Sequence, residues 1–286
     1  GLLYVDKTHR LQEIVSSGRR YFLSRPRRFG KSLTLSTLDA MFQGKAELFK
    51  GLAAEGWVAE QARQPCPVLS LSMARGRSME GVRGFDISLY NDLMVLGRKQ
   101  GLPMLRKDTE GALGAFKDVL EGLYDQGGPV VVLIDEYDKP LLDVLDTPTS
   151  IHVDNMEKTL EEDNREQLKA FYSVFKAADQ DLQFVLLTGV TKFSQVSVFS
   201  GFNQPNDISM APKYDALCGV TTEELHTVFA EGISELAEGL GTTAEDMKRQ
   251  LKRQYDGYHF SRMMTDVYNP FSLLKAFDNQ DIRAFW

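Results

Sequence analysis

A Gly-Lys-Ser sequence at residues 30–32 stands between an apolar segment and a helical pattern. Backbone amides at the start of a helix, together with the helix dipole, attract phosphate groups. Lys31 adds a positive charge, Ser32 offers a hydroxyl to a magnesium ion, and Gly30 lets a phosphate approach the backbone closely. This order is therefore typical of a site for the phosphates of a nucleoside triphosphate. A plain strand-to-helix turn with an exposed lysine is the alternative.

The loop before this sequence lacks one glycine of the general pattern G-x-x-x-x-G-K-[ST], because Arg25 stands at its first position. Arginine forks pair well with phosphate oxygens, so the arginines of the loop are candidates to neutralise the phosphates of a nucleotide or a nucleic acid. Exposed charge is the expectation for Arg19 and Arg20. The predicted nucleotide-binding residues are Arg25, Pro26, Arg27, Arg28, Phe29, Gly30, Lys31 and Ser32.

Two adjacent carboxylates follow a second apolar segment. Residues 130–134 have the pattern of a buried strand, and Asp135 and Glu136 come directly after it. Because side chains alternate on a strand, the two acids have different roles. We expect Asp135 to hold magnesium beside Ser32 and Glu136 to take a proton from water attacking the γ-phosphate. A polar strand end with acidic loop or cap residues is the alternative.

A third apolar segment, residues 184–187, ends at Thr188. A hydroxyl at this place suits a sensor that hydrogen-bonds the γ-phosphate or the attacking water. The alternative is a buried threonine that bonds its own backbone. Lys192 lies one turn further on, and we expect it to face solvent.

Strand-length apolar segments alternate with helical patterns along most of the chain, which is typical of a parallel sheet covered by helices. The acidic stretch over residues 147–164 is interpreted as a solvated loop or an exposed helix. The predicted strands cover residues 21–24, 67–71, 130–134 and 184–187, and predicted helices lie around residues 32–42, 113–124 and 165–178.

After about Thr221 the pattern changes to helices without a further strong apolar strand, which indicates a second, smaller region. Four of its cations, at positions 248, 249, 252 and 253, form a helical stripe that either meets a nucleic acid or, as we expect, is a solvated face. The signals for helix starts are Thr221 with Glu224, Thr242 with Glu245, and Asn269 followed by Pro270.

The formal net charge of −7 over 286 residues argues against binding nucleic acid by overall charge and leaves only local basic patches. Cys66 and Cys218 lack the spacing of a zinc site or disulfide framework, so a reducing compartment is expected. The apolar runs are of strand length, and we expect a cytoplasmic protein without a membrane partner. The chain begins and ends in mid-pattern, as a fragment of a longer protein would.

Five separated blocks closely resemble the predicted AAA-ATPase-like family of bacterial proteins. That family also has arginine at the position of Arg25, and the resemblance covers nearly the whole chain. The blocks are YVDKT at 4–8, FLSRPRRFGKSLTLSTL at 22–38, LIDEYDKPLLD at 133–143, LLTGVTKFSQVSVFSGFNQPNDIS at 186–209 and VYNPFSLL at 267–274.

The resemblance implies an α/β P-loop NTPase core, AAA-related and of the additional-strand catalytic-glutamate class, with strand order 5-1-4-3-2. It implies a core over residues 1–220 and a smaller helical lid over residues 221–286. ATP and Mg²⁺ are the implied cofactors, with Lys31, Glu136 and Thr188 as catalytic residues. Ser32 and Asp135 are the implied metal ligands. Members often continue into a C-terminal PD-(D/E)XK nuclease-like domain, which is not in this chain.

The leading hypothesis is an ATPase that hydrolyses ATP to drive conformational change of an attached or partner effector, with DNA processing as a candidate setting. The alternative is a slow nucleotide-dependent signalling switch or scaffold without significant turnover. A small-molecule kinase is a third candidate, which the Asp135-Glu136 pair disfavours. DNA and further copies of the chain are candidate partners, and a neighbouring subunit's arginine would complete the site in a ring.

Overall fold

The computed structural model describes residues 3–75, 84–103, 111–145, 150–153, 156–191 and 205–285. Lys192 and most of the block at residues 186–209 lie outside the described residues. The helices are α1 Thr8–Ser17, α2 Lys31–Phe42, α3 Glu55–Gln61, α4 Gly84–Lys99, α5 Gly111–Gly127, α6 Lys139–Leu142, α7 Leu160–Ala177, α8 Thr222–Val228, α9 Ala230–Gly239, α10 Ala244–Tyr255 and α11 Pro270–Asn279. The strands are β1 Arg20–Ser24, β2 Val68–Ser72, β3 Val130–Asp135, β4 Ser150–Val153, β5 Met156–Thr159, β6 Leu182–Gly189, β7 Asn206–Asp207, β8 Val220–Thr221 and β9 Val267–Tyr268.

The central sheet has five strands in the order β2-β3-β6-β1-β7, and the neighbouring strands are parallel. Counted within this sheet in chain order, the arrangement is 5-1-4-3-2, which confirms the expected α/β class and strand order. The register places Leu23 opposite Thr188 and Leu187 opposite Ile134. The carboxyl ends of β1, β6 and β3 therefore lie side by side at one edge of the sheet.

Helices cover both faces of this sheet, which explains why its strands are almost continuously apolar. Val132 and Ile134 of β3 belong to the hydrophobic cluster that includes residues of α4, α5 and α7. The alternate residues, Val131 and Leu133, belong to the cluster that includes residues of α1, α2 and α3. With both faces buried, the sheet is a fixed support for side chains at its carboxyl edge.

Helices α8 to α11 surround a third hydrophobic cluster, which includes Leu225, Ile233 and Leu251. Strands β8 and β9 pair antiparallel and join the beginning and end of this region. None of the helices in the described part of the chain combines the length and apolar composition needed to cross a bilayer. The division of the chain at residue 220 stays a prediction.

Two of the three expected helix starts are present as expected. Thr221 and Glu224 form a capping box at α8, and Asn269 caps α11, whose first residue is a proline. The prediction of Thr242 as a cap is wrong, because Thr243 accepts from the amide of Asp246 at the start of α10. Adjacent threonines followed by two acids offer two registers, and the helix uses the later one.

The acidic stretch is also different from the expected loop or exposed helix. Strands β4 and β5 form an antiparallel pair, and α7 begins at Leu160 behind a capping box made by Thr159 and Glu162. Glu161, Glu162 and Asp163 therefore lie in the first turn of α7, where the helix dipole favours negative charge. Part of the stretch is helical, as expected, and the hairpin before it was missed.

Candidate functional site

The start of α2 has the arrangement of an anion site. Gly30 is its N-cap with φ of 90°, a left-handed conformation that favours glycine, and no side chain caps the first turn. First-turn amides have no acceptor within their own helix. The first residue is Lys31, and the first turn carries no acidic side chain. A cation at the positive end of a helix dipole is unfavourable until an anion binds there.

Lys31 is buried, and its ammonium closes the loop that precedes α2. Its Nζ donates to the carbonyl oxygens of Arg25 and Pro26, each at 2.9 Å. Burial lowers the pKa of Lys31, and attraction to Asp135 opposes that shift. An ammonium has three N–H donors, so two contacts of this kind leave one donor for a ligand.

Three of the predicted site residues meet at the carboxyl edge of the sheet. Asp135 accepts from the hydroxyl of Ser32 at 2.5 Å through Oδ2. Its Oδ1 accepts from the hydroxyl of Thr188 at 2.6 Å and from the amide of Glu136 at 3.0 Å. Thr188 thus binds Asp135 instead of its own backbone.

These oxygen atoms fit a magnesium ion that shares its coordination with phosphates and water. Magnesium prefers oxygen ligands and is often held by one or two protein groups while it keeps several waters. Ser32 and Asp135 supply such a pair. Within the described ranges, no group of three or more His, Cys, Asp or Glu side chains forms a metal site that is complete without a ligand.

Glu136 lies at the turn directly after β3 in a left-handed conformation, with φ of 53°. Few residues other than glycine adopt this conformation, so the surrounding structure must hold it. The side chain is half-buried, and across the described part of the chain it forms no hydrogen bond or ion pair. Its carboxylate is therefore available to a water molecule at the site.

Arg25 occupies the missing glycine position without facing a phosphate. Its guanidinium is buried and donates to the carbonyl oxygens of Ser24 at 2.9 Å, Ser209 at 2.7 Å and Tyr214 at 3.0 Å. It also lies 4.1 Å from the centre of the Phe260 ring. The interpretation of this side chain as a phosphate-neutralising group is therefore wrong, because the side chain is only 1% exposed and three of its five N–H donors bind main-chain oxygens.

Phe29 anchors the same loop to the chain beyond residue 205. It is completely buried and meets the rings of Tyr258 and Phe260 edge to face, with ring centres 4.6 and 5.3 Å apart. Its carbonyl accepts from the amide of Gly219 at 3.2 Å. The tip of the loop thus belongs to the hydrophobic interior as well as to the site.

The remaining loop residues are more accessible. Arg28 is exposed, has φ of 64° and lies with its guanidinium 4.1 Å above the ring of Phe271 in α11. Arg27 is exposed and Pro26 is half-buried. Arg27 is therefore the loop arginine that is best placed to meet a ligand or solvent.

Most of the other cations that the sequence analysis singled out form ion pairs outside the site. Arg19 is exposed as expected, whereas Arg20 forms an ion pair with Asp179, so the expectation of a solvent-facing charge at Arg20 is wrong. In the helical stripe, cations pair with neighbouring acids of the same region, which is typical of a solvated face. These pairs are Lys248 with Glu245, Arg249 with Asp246, and Lys252 with Asp266.

A cavity of about 140 Å³ lies beside the loop that precedes α2. Its lining is largely apolar and comes from four segments of the chain, within residues 3–11, 29–37, 217–229 and 270–274. The sequence analysis did not predict this cavity. Representative lining residues are Tyr4, Val5, Leu33, Val220, Phe229 and Pro270.

The chain belongs to the family described as Predicted AAA-ATPase, whose model matches residues 1–199. This membership and the P-loop geometry define a nucleotide-binding protein of the ATPase class. A curated relative, an uncharacterized protein in the vnfD 5′ region of Azotobacter chroococcum mcd 1, is 36% identical over 286 residues. That alignment covers 99% of this chain and 50% of the relative, so the chain spans about half the relative's length.

Two solved structures from Aeropyrum pernix are distantly similar. The ORC2 protein in ADPNP-ADP complexes has 13% identity and a TM-score of 0.41, with 87% of this chain and 60% of that chain covered. The ORC1 protein in complex with DNA has 11% identity and a TM-score of 0.40, with 99% and 63% covered. Likeness at this level carries no information about the ligands of this chain.

Proposed function

We propose that this protein binds ATP with Mg²⁺ and hydrolyses it, with Glu136 as the general base. The observation that carries the proposal is the contact of Ser32, Asp135 and Thr188 at the edge of the sheet, next to the uncommitted carboxylate of Glu136. A triphosphate site needs an anion cradle, oxygen ligands for a metal and a group that activates water. In this chain the start of α2 is the anion cradle, Ser32 and Asp135 are the oxygen ligands, and Glu136 is the group that activates water.

Lys31 and the start of α2 bind the phosphates in this proposal. Lys31 uses its third N–H donor for a phosphate oxygen, while the other two bind the carbonyl oxygens of Arg25 and Pro26. The first-turn amides of α2 face the same anion, and Gly30 has open space where a side chain would otherwise project.

Ser32 and Asp135 would hold the magnesium ion, which supplies charge neutralisation at the phosphates when it is bound. Thr188 holds Oδ1 of Asp135, which leaves the direction of the carboxylate fixed. Glu136 accepts the proton of the attacking water, because its side chain is not already committed to a donor. Asp135 and Glu136 have different roles because Asp135 accepts hydrogen bonds from Ser32 and Thr188, whereas the side chain of Glu136 accepts none from the described residues.

The cavity beside the loop is the proposed site of the adenine ring of ATP. Its apolar lining suits a flat ring system, and it begins next to Gly30, where the phosphates end. Residues 221–286 form the proposed lid, since Val220, Phe229 and Pro270 contribute to the same cavity. Movement of these helices with nucleotide state would drive an effector, for which a nuclease-like domain, DNA and further copies of the chain are the candidates.

The test is phosphate release by wild type and Glu136→Gln, with fluorescent-nucleotide affinity measured on both. Glutamine keeps the size of the side chain but cannot accept the proton, so turnover should fall by a factor on the order of 10² to 10⁴ with affinity unchanged. Glu121→Gln, on the exposed surface of α5, is the matched control. Turnover of Glu136→Gln within about threefold of wild type would favour the slow nucleotide switch instead, since a lost base costs more than that.

A further inference from the structure

The turn after β3 is tied to the end of β6 by contacts on both sides of Glu136. Before it, Asp135 accepts from the side chain of Thr188. After it, the amide of Tyr137 donates to the carbonyl of Thr188 at 2.9 Å, and the Tyr137 hydroxyl donates to the carbonyl of Thr191 at 2.6 Å. Glu136 therefore lies between two attachments to the same neighbouring strand.

Asp138 supplies the most concentrated of these attachments. It is buried, with 2% of its surface exposed, and one of its oxygens, Oδ2, accepts three hydrogen bonds. The donors are the amide of Val190 at 3.0 Å, the amide of Thr191 at 2.8 Å and the hydroxyl of Thr191 at 2.9 Å. Hydrogen bonds to an ionised acceptor are stronger than those to a neutral one, so a carboxylate is suited to gather three donors.

Gly189 permits this close contact between the two segments. A Cβ atom at this position would lie 2.4 Å from Cε1 of Tyr137 and 2.8 Å from Oδ1 of Asp138. The ring of Tyr137 is also held edge to face against Phe22 of β1, with ring centres 5.2 Å apart. The turn is thus packed between β6 and β1 with no room for a side chain at residue 189.

These contacts explain how Glu136 keeps its left-handed conformation. An isolated chain would leave this conformation, because few side chains adopt φ near 53°. The bonds of Asp135 and Asp138 fix the backbone on either side of it, so the direction of the Glu136 carboxylate depends on both.

We propose that Asp138 is a positioning residue for ATP hydrolysis, which acts by holding Glu136 in its direction relative to Thr188. The proposal rests on the proposed function of Glu136 as the base. Asp138 itself touches none of the reacting atoms. A catalytic group that is displaced by about 1 Å can lose on the order of 10²-fold in rate, whereas binding of the nucleotide does not require the direction of Glu136.

The experiment compares phosphate release by wild type, Asp138→Ala and Asp138→Asn at a temperature where each is folded. Fluorescent-nucleotide titration counts the folded sites. Asp138→Ala should lower kcat by roughly 10- to 100-fold with KM within about twofold, because positioning affects the chemical step. Asparagine keeps an acceptor oxygen and should recover most of the rate.

Asp163→Ala is the matched control, since Asp163 is another buried acid that accepts a side-chain hydrogen bond, from Gln167 on α7. It should lower thermal stability without changing kcat per folded site. If Asp138→Ala behaves in the same way, Asp138 is only structural and the proposal is overturned. Thr191→Val, which removes one of the three donors, gives a milder test, with an expected loss of about threefold in kcat, near the 0.6 kcal/mol of a weak hydrogen bond.

A double variant decides whether Asp138 acts through Glu136. If it does, Glu136→Gln with Asp138→Ala should hydrolyse ATP no more slowly than Glu136→Gln alone, because the base is already absent. Multiplied effects would overturn the proposal. A wild type that releases no phosphate would overturn the proposed function and this assignment together, whereas an active wild type with an unaffected Asp138→Ala would overturn this assignment alone.

Discussion

The site has two parts that are built in different ways. At the carboxyl edge of the sheet, Ser32, Asp135 and Thr188 are held by hydrogen bonds between short polar side chains. The loop before α2 is held by long side chains, since Arg25 and Phe29 lie buried among groups from beyond residue 205. The first part joins α2 to two neighbouring strands, and the second joins the loop to more distant parts of the chain.

The residues proposed for the chemistry are therefore largely distinct from those that attach the loop to the rest of the protein. In the proposed mechanism the polar edge holds the metal beside Glu136, yet its short polar side chains contribute little buried apolar surface. The loop contributes packing and buried hydrogen bonds, yet the Arg25 side chain is not free for a ligand. Substitutions at the edge should therefore change rates and metal dependence, whereas substitutions in the loop should change the free energy of unfolding.

The largest loss of stability is expected for Arg25→Met. Methionine retains a long apolar side chain but removes the Arg25 donors to three carbonyl oxygens. The oxygen of Tyr214 keeps the amide of Leu217 as a second donor, whereas those of Ser24 and Ser209 lose the guanidinium that binds them. Each unsatisfied buried group costs about 1 to 3 kcal/mol, so we expect a loss of roughly 3 to 5 kcal/mol in the free energy of unfolding. Urea unfolding measures it.

Arg27→Met is the control for that measurement, because Arg27 is the exposed arginine of the same loop. A surface substitution of this kind is usually within about 0.5 kcal/mol of wild type. Equal stability of the two variants would show that the carbonyl contacts of Arg25 do not hold the loop, and the distinction between the two parts of the site would fail.

The next prediction concerns ligand-dependent stability. ATP with magnesium at about a hundred times its dissociation constant should stabilise the wild type by roughly 2.7 kcal/mol. Lys31→Ala should lose nearly all of this increase, because the phosphates lose their lysine. Lys50→Ala, a change at an exposed lysine outside the site, should keep it. Thermal shift with and without nucleotide measures the difference, and an equal shift in Lys31→Ala would contradict its assignment.

Thr188→Val tests the polar edge more gently. Valine keeps the shape of threonine but removes the donor to Oδ1 of Asp135. A hydrogen bond of this kind contributes about 1 kcal/mol, so the magnesium concentration for half-maximal turnover should rise about fivefold. A magnesium series measures it, with Thr227→Val on the exposed surface of α8 as control. An unchanged requirement would mean that Thr188 does not orient Asp135.

The polar edge could be predicted from the sequence because each of its residues follows a recognisable strand. Asp135 and Thr188 stand directly at the ends of apolar segments, and a parallel sheet brings such ends to one edge. The hydrogen bond between the two side chains is then a short-range consequence of strand pairing. Local pattern and fold class were sufficient there.

The partners of Arg25 could not be predicted in the same way. Two of the three, Ser209 and Tyr214, lie 184 and 189 residues further along the chain, and such contacts leave no periodic signal. Polar composition likewise concealed the β4–β5 pair, whose strands alternate too briefly to be recognised. The cap of α10 was displaced by one residue because Thr242 and Thr243 both satisfy the local pattern.

The smallest expected effect lies where the loop meets α11. Arg28→Ala removes the guanidinium above the ring of Phe271. Arg28 is exposed, and a cation–π contact at an exposed site contributes about 0.5 to 1 kcal/mol. A double-mutant cycle with Phe271→Leu, measured by urea unfolding, isolates this interaction from other effects of either change.

The cycle should be measured with and without ATP and magnesium. If the loop transmits the nucleotide state to α11, the coupling energy should differ between the two conditions. A coupling that is the same in both would make this contact a passive attachment and leave lid movement without support from the loop.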